Sequence, residues 1–389
     1  PARRTTELVE STIRSLPVYA ASKGAVNLGQ GSPDIPPPPE VVEAAHRALT
    51  SGVHQYVPTW GLPELRAAIA AKTRRSYGLA YDPDAETTVT CGVTEAVISA
   101  LLGVADRGDE VVILEPAHEN YHAGVVFAGA TAVWVPIRPP EHRFDPDELA
   151  RAMARPGVRA VIFNSPHNPS GRVFTHEELS VIADLCHEHD VVAISDEIYE
   201  HMTYGAHEHV PIATLPGMRE RTITISGLSK TYAATGWRVG WAHAPAPLSD
   251  ALRKIHDFTT ICAPAPLQQA SVTAVSLPDG YYASLRAWYL ERRDRTVAIL
   301  RAAGFDARPP EGAYYLMAGI DGPARWAGTG SDDVRFARWL IDEVGVGTIP
   351  GSSFYRSDPE LGRGTVRVAF PKSDATLDEV ERRLAVLTG

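Results

Sequence analysis

Between Thr87 and His243 the sequence alternates short β-rich runs with helical ones, and this alternation constrains the fold more than any other feature. The candidate strands are Thr87–Thr90, Glu110–Leu114, Ala132–Pro136, Val158–Phe163, Val191–Ser195, Thr222–Ile225 and Val239–His243. Helical stretches such as Glu95–Val104 and Glu177–His189 separate most of them, and Ser249–His256 follows the last. Strand–helix alternation means a mostly parallel sheet, because parallel neighbours need a long crossover between them. The helices then cover both faces of the sheet. The expected fold class is therefore α/β, with a mostly parallel seven-stranded sheet. Ligands of such sheets sit beyond the carboxyl ends of the strands.

At 389 residues the chain exceeds a usual single core, so a second unit is expected. The alternation stops after Pro264. Gln268–Leu277 and Gly280 to about Gly304 read as helices, the second long and charged. Glu311–Leu316 reads as a strand, Val344–Ile349 as a short β-rich run closed by the turn Pro350–Ser353, and Thr365–Phe370 as an apolar strand interrupted by Arg367. Residues 1–24 read as a short helix, apolar at Leu8, Val9, Ile13 and Leu16 and broken at Pro17. Glu40–Leu49 and a stretch from Pro63 to about Tyr77 are also helical. The net charge of −10 argues against nucleic acid or an anionic membrane surface as partner. Cys91, Cys186 and Cys262 are scattered and in no metal-ligand spacing, so neither a disulfide framework nor a metal is expected. No apolar run reaches membrane-spanning length and the first residues lack a signal peptide's apolar core, so the expected location is the cytoplasm.

The polar residues of interest fall at strand ends. After Thr222–Ile225 come Gly227, Ser229, Lys230 and, eight residues on, Arg238. A lysine just past a buried strand is held in place and partly desolvated, so its amine can titrate low enough to form a Schiff base. Ser229 and Arg238 are close enough to share a phosphate-like anion. Gly92-Val93-Thr94-Glu95 opens a helix whose free N–H groups also favour an anion, with Thr94 as the simple N-cap. Asp196, in Ser195-Asp196-Glu197-Ile198-Tyr199, ends a buried strand and needs a cation. Asn168, in Asn164-Ser165-Pro166-His167-Asn168-Pro169, is held stiffly between prolines, with His167 a bystander. Arg367 on a buried strand needs an anion, and its planar fork suits a carboxylate. Gly31 belongs to the shaped loop Asn27–Asp34. Tyr56 reads as a half-buried tyrosine, and His118, two residues after Pro116, as a loop histidine or an imidazole that stacks or carries a proton. Tyr121, Trp60, Tyr314 and Tyr315 make either an aromatic pocket wall or core.

Taken in order from about residue 26 to about 370, these motifs resemble the class I/II aminotransferases, in texture the kynurenine and methionine aminotransferase-like branch. The resemblance implies the PLP-dependent fold type I of aspartate aminotransferase. It also implies a large domain of residues 37–284, a smaller α/β domain of residues 1–36 and 285–389, and an active site at the interface of a homodimer. Lys230, Asp196 and Tyr199 would carry the chemistry. Lys230 would hold pyridoxal 5′-phosphate (PLP) as a Schiff base and serve as general base, and Asp196 would pair with the ring nitrogen. Asn168 and Tyr199 would share the phenolic oxygen, and His118 would occupy the place of the aromatic that stacks on the ring. Val93, Thr94, Ser229 and Arg238 would hold the phosphate, joined by Tyr56 of the neighbouring subunit. Arg367 would grip the substrate α-carboxylate, with Gly31 and Asn168 beside it. The implied reaction moves an amino group from an L-amino acid to a 2-oxo acid. The alternative is PLP-dependent elimination, substitution or carbon–carbon bond formation. Two departures keep it open: His118, and Gly227 where many relatives have a phosphate-binding serine.

Overall fold

The structure, a computed structural model, describes residues 1–8, 12–51, 54–323, 326 and 332–387; Val9, expected on the first helix, lies outside them. Strand β1 (Val26–Asn27) follows the helix Thr12–Ser22. The large sheet then takes β2 (Thr87–Thr90), β3 (Glu110–Glu115), β4 (Thr131–Arg138), β5 (Arg143–Phe144), β6 (Val158–Asn164), β7 (Val192–Asp196), β8 (Thr222–Gly227) and β9 (Gly240–His243). Their spatial order is β2-β9-β8-β7-β6-β3-β4-β5. The central pairs, from β8 through β7, β6 and β3 to β4, are parallel, while β9 runs antiparallel to both of its neighbours. All seven expected strands form. The eighth, β5, is a two-residue antiparallel return on β4, too short to leave a periodic pattern.

Both faces of the sheet are covered, and this explains the unbroken apolar runs. Along β3, Val111 and Ile113 pack under the helices Val93–Val104 and Glu119–Ala128, while Val112 and Leu114 pack under Pro146–Met153 and His176–Glu188. Each such buried aliphatic side chain stabilises the fold by about 1.5–3 kcal/mol. The helix His176–Glu188 starts at a capping box between Thr175 and Glu178, which fixes where it leaves the loop after β6.

A second sheet holds β10 (Asp306–Ala307), β11 (Tyr315–Gly319), β13 (Ile349–Pro350) and β14 (Thr365–Ala369), all antiparallel, in the order β10-β11-β14-β13. β12 (Val346–Gly347) instead pairs with β1, so the expected run Val344–Ile349 splits between two partners. One 24-residue helix, Asp279–Ala302, leads from the large sheet to the smaller one. The strand expected from Glu311 begins only at Tyr315, because Ala313 takes a left-handed φ of 53° that no ladder accepts. Helix Thr12–Ser22 runs through Pro17 instead of breaking there. Pro17 is buried, and only the carbonyl one turn back loses a donor. No described helix is long and apolar enough to cross a membrane.

Close to β7 a buried ion pair joins Lys72 and Glu200 at 2.8 Å, and the same carboxylate accepts from the Tyr77 and Ser226 hydroxyls. Burial opposes its ionisation, yet Lys72 and His201 hold it well below the usual carboxylate range. Lys72→Ala strands this charge and is expected to lower unfolding free energy by about 3–5 kcal/mol. Urea denaturation reads this directly, and a loss below about 1 kcal/mol would contradict it.

Candidate active site

The ends of β6, β7 and β8 open into one cavity of about 210 Å³. Lys230 enters it from the turn after β8, Asp196 from the end of β7, Asn168 from the loop after β6, and Arg367 from β14 across the cleft.

The chain has five lysines, and Lys230 alone lines the cavity. Its Nζ donates to the Gly31 carbonyl at 2.8 Å, an oxygen that also accepts from the Tyr314 hydroxyl at 2.6 Å. Burial lowers its pKa; Tyr315 resists this and Arg367 adds to it. Gly31 is required by close approach, since a Cβ there would meet the Tyr315 hydroxyl. Asp196 accepts from the Tyr121 hydroxyl at 2.7 Å and from the Ile198 N–H at 3.2 Å. Burial nevertheless pushes its carboxyl up to about 6, the mark of an acid that lacks a full cationic partner.

Asn168 is fixed from both ends. Its N–H donates to Asn164 Oδ1 at 2.7 Å, Asn164 Nδ2 donates to the Asp196 carbonyl at 2.6 Å, and Asn168 Oδ1 accepts from Arg367 Nη1 at 2.9 Å. His167 is more than the expected bystander. It is buried and donates from Nε2 to the Pro116 carbonyl at 3.0 Å while Nδ1 accepts from Ser170, a tautomer assigned from those partners. It thereby clasps the loop after β6 to the loop after β3. Arg367 is 2% exposed, donates from Nη2 to the Gly29 carbonyl at 2.6 Å, and lies over the rings of Tyr315 and Phe354. Its Nε has no partner among the described residues. A buried guanidinium with no carboxylate beside it suits an acidic ligand.

At the opposite end stand Val93, Thr94, Ser229 and Arg238, all lining the cavity. The helix cap is Gly92 with φ 79°, not Thr94, whose hydroxyl takes the Asn120 amide at 2.9 Å instead. Glycine is needed because φ 79° with ψ 171° is a backbone conformation that L side chains rarely adopt, and Arg238 Nη2 would lie only 2.3 Å from a Cβ there, so the guanidinium rests against the helix start. Anions are favoured there by the unpaired N–H groups and the helix dipole together. His118 also lines the cavity; its Nδ1 accepts from the Asn120 N–H at 3.3 Å, and burial, with Lys230 and Arg367, lowers its pKa to about 3. It is neutral at working pH. Gly227 packs so closely on Gly240 that a Cβ would sit 3.0 Å from its Cα.

Tyr199 lines the cavity, but its hydroxyl donates to Tyr315 at 3.3 Å and not to Asn168. Tyr56 stands apart from the cavity, 79% exposed. Of the four aromatics considered for the pocket wall, Tyr121 and Tyr315 line it, Tyr314 lies behind Gly31, and Trp60 sits elsewhere under Arg253. The Tyr121–Asp196 hydrogen bond and the supports from Asn164 and Asn120 carried no signal in the sequence. A tyrosine three residues into a loop-plus-helix pattern reads the same whether it supports an acid or fills core.

The donor set fits one kind of ligand: an anionic end, a carbonyl within reach of an amine, a ring oxygen, and a basic nitrogen that gives Asp196 its cation. Those are the features of PLP. Residues 23–384 match the model of the family described as aminotransferase class I and II. The chain belongs to this family. It is 42% identical to the probable N-succinyldiaminopimelate aminotransferase DapC of Mycobacterium tuberculosis, over 94% of this chain and 92% of that protein. It is 34% identical to the methionine aminotransferase of Escherichia coli, over 100% of this chain and 98% of that protein. A solved structure of N-succinyldiaminopimelate aminotransferase from M. tuberculosis covers 100% of both chains at 40% identity, with a TM-score of 0.94. The protein is thus a PLP-dependent aminotransferase of the fold type I class, and its substrates are small molecules, an amino acid and an oxo acid.

Proposed function

We propose that PLP lies in the 210 Å³ cavity between Lys230 and Asp196, with its phosphate at Val93, Thr94, Ser229 and Arg238 and its ring oxygen at Asn168 and Tyr199. The observation that carries this is the convergence, in one cavity, of a single lysine with a lowered pKa and a single carboxylate with a raised one. Groups pushed in opposite senses from their ordinary values mark the acid–base assignments of a site.

Bound there, PLP supplies an electrophilic carbon for the substrate amine and an electron sink for the Cα electrons. Arg367 would bind the substrate carboxylate through its fork and so fix the orientation of the substrate Cα. The Gly31 N–H and the Asn168 amide support the same carboxylate. The Lys230 Nζ would accept the proton from the substrate Cα as general base. Asp196 holds the ring nitrogen's proton in place, and Tyr121 holds Asp196. His118 provides a flat neutral surface against the ring. The elimination or carbon–carbon bond-forming alternative gains nothing from His118 or Gly227: His118 is held neutral by burial and Gly227 is set by packing on Gly240.

We also assign residues 37–284 to a large domain and residues 1–36 and 285–389 to a small one, with the cavity between them. The active form is a homodimer in the cytoplasm. Exposed Tyr56, Phe258 and Ile261 support the dimer, because they lie on neighbouring segments joined by the bond from His256 Nε2 to the Thr59 carbonyl and await a cover. In this reading Tyr56 completes the partner's phosphate site. The three free cysteines fit a reducing compartment. Sedimentation should give twice the 42.0 kDa chain mass.

The test of the reading is a titration of PLP-loaded protein with amino acids in the absence of an oxo acid. One equivalent of oxo acid per site should form as absorbance moves from ~420 to ~330 nm. Repeated turnover without an acceptor would overturn it. Arg367→Lys, which cannot present a fork, is expected to raise KM for the amino acid about 100-fold while kcat changes less. Steady-state kinetics separates the two parameters, and an unchanged KM would remove Arg367 from carboxylate binding.

A further inference from the structure

An acid stands beside the anionic end of the cavity. Glu95 lies in the first turn of the helix Val93–Val104, directly after Val93 and Thr94, which line that end. A first-turn acid ordinarily stabilises a helix, because it meets the positive end of the dipole. A phosphate draws on the same end, so an uncompensated carboxylate one residue on would oppose it.

Glu95 is compensated from another helix. Its Oε1 lies 3.0 Å from Nδ1 of His256, a fully buried residue of the helix Ala246–Thr259. His256 Nε2 lies 2.8 Å from the Thr59 carbonyl. Both ring nitrogens thus face oxygens that only accept, so the ring carries both protons, an assignment made from those partners. Burial alone would lower the pKa of this ring, but Glu95 and the Thr59 carbonyl raise it. The carboxylate is also tied to the helix start. Its Oε2 accepts from the Cys91 N–H at 3.1 Å, one residue before the Gly92 cap, and its Oε1 accepts from the Ser99 hydroxyl at 2.7 Å. That reach back leaves the N–H groups of the first helical residues, Val93 and Thr94, for an anion. Neither Glu95 nor His256 lines the cavity.

Resting on the reading that the phosphate of PLP lies at Val93, Thr94, Ser229 and Arg238, we infer that His256 is a positioning residue for cofactor binding: it cancels the charge of Glu95 and keeps its carboxylate on the Cys91 N–H, so that the helix start accepts a phosphate. His256 touches neither cofactor nor substrate. Its effect is confined to the phosphate, because the ring and the aldehyde fall to Lys230, Asp196 and Asn168.

The experiment measures the dissociation constants of PLP and of pyridoxal, its phosphate-free form, for the full cofactor-free chain and three variants at pH 6.5, below the raised pKa of His256. In His256→Gln the constant for PLP should rise about tenfold, the scale of one charge at a helix start, while pyridoxal stays within about twofold. Glu95→Gln removes the opposing charge, so that variant and the double variant Glu95→Gln/His256→Gln should both bind PLP within about threefold of wild type. An unchanged PLP constant in His256→Gln, an equal loss for pyridoxal, or a double variant as weak as His256→Gln would overturn the assignment. Should His256→Gln fail to fold, the other two variants carry the test, and a loss of PLP affinity of about tenfold in either overturns it. A wild-type chain that binds pyridoxal as tightly as PLP would instead take the phosphate away from the helix start, which is a failure of the cavity reading and a different result from loss of discrimination.

Discussion

Lys230→Ala is expected to abolish amino transfer, lowering kcat/KM by at least about 10⁴-fold, because one substitution removes both the covalent anchor and the general base. No other lysine can substitute. Lys72 is committed to Glu200, Lys23 and Lys254 pair with Asp342 and Asp250 at the surface, and Lys372 donates to the Ser32 carbonyl. The loss will not come from misfolding. The Gly31 carbonyl that Lys230 leaves behind still accepts from the Tyr314 hydroxyl at 2.6 Å, so no buried acceptor is orphaned. Unchanged thermal unfolding of the cofactor-free variant, together with partial recovery of turnover on adding methylamine, would separate a missing base from a damaged fold. A variant that kept a tenth of wild-type activity would refute the role.

Asp196→Asn is expected to act in opposite directions on activity and on stability. An amide cannot hold the proton on the ring nitrogen, so kcat/KM should fall by about 10³-fold, the scale of losing one preorganised electrostatic partner. Stability should rise in the cofactor-free protein. Burial raises the Asp196 carboxyl from 3.8 to about 6, so between those values the folded chain binds more protons than the unfolded one. Stability contributed by the neutral acid is present below about pH 4 and is lost as pH rises through about 6. Ionising a carboxyl raised that far costs the folded chain about 3 kcal/mol, so the variant should exceed wild type by about that much at pH 8 and match it near pH 4. Denaturant unfolding at both pH values checks the sign. A variant less stable than wild type at pH 8 would mean that the carboxylate already has its cation in the protein.

Much of the large sheet was legible because two covered faces demand unbroken apolar strands, and seven such runs stand between clear helical stretches. The strand-end residues were legible for the same reason: a polar group at the end of a buried run needs a partner, and Asp196, Lys230 and Asn168 do share one cavity. What escaped depended on contacts between distant segments. Thr94 resembles an N-cap, yet Gly92 takes that place because the chain enters the helix at φ 79°, with the guanidinium of Arg238, 146 residues away in sequence, resting against it. Pro17 resembles a helix end, yet its ring is buried and the helix continues. His167 resembles a bystander until the Pro116 carbonyl arrives from another strand end.

The most direct test of the central claim is the position of the cofactor on the chain. The PLP-loaded protein is reduced with borohydride, digested, and the modified peptide identified by mass spectrometry. The account predicts a single adduct, on the peptide that contains Lys230. An adduct on Lys372, the other lysine whose pKa burial lowers, or the absence of any adduct, would contradict it.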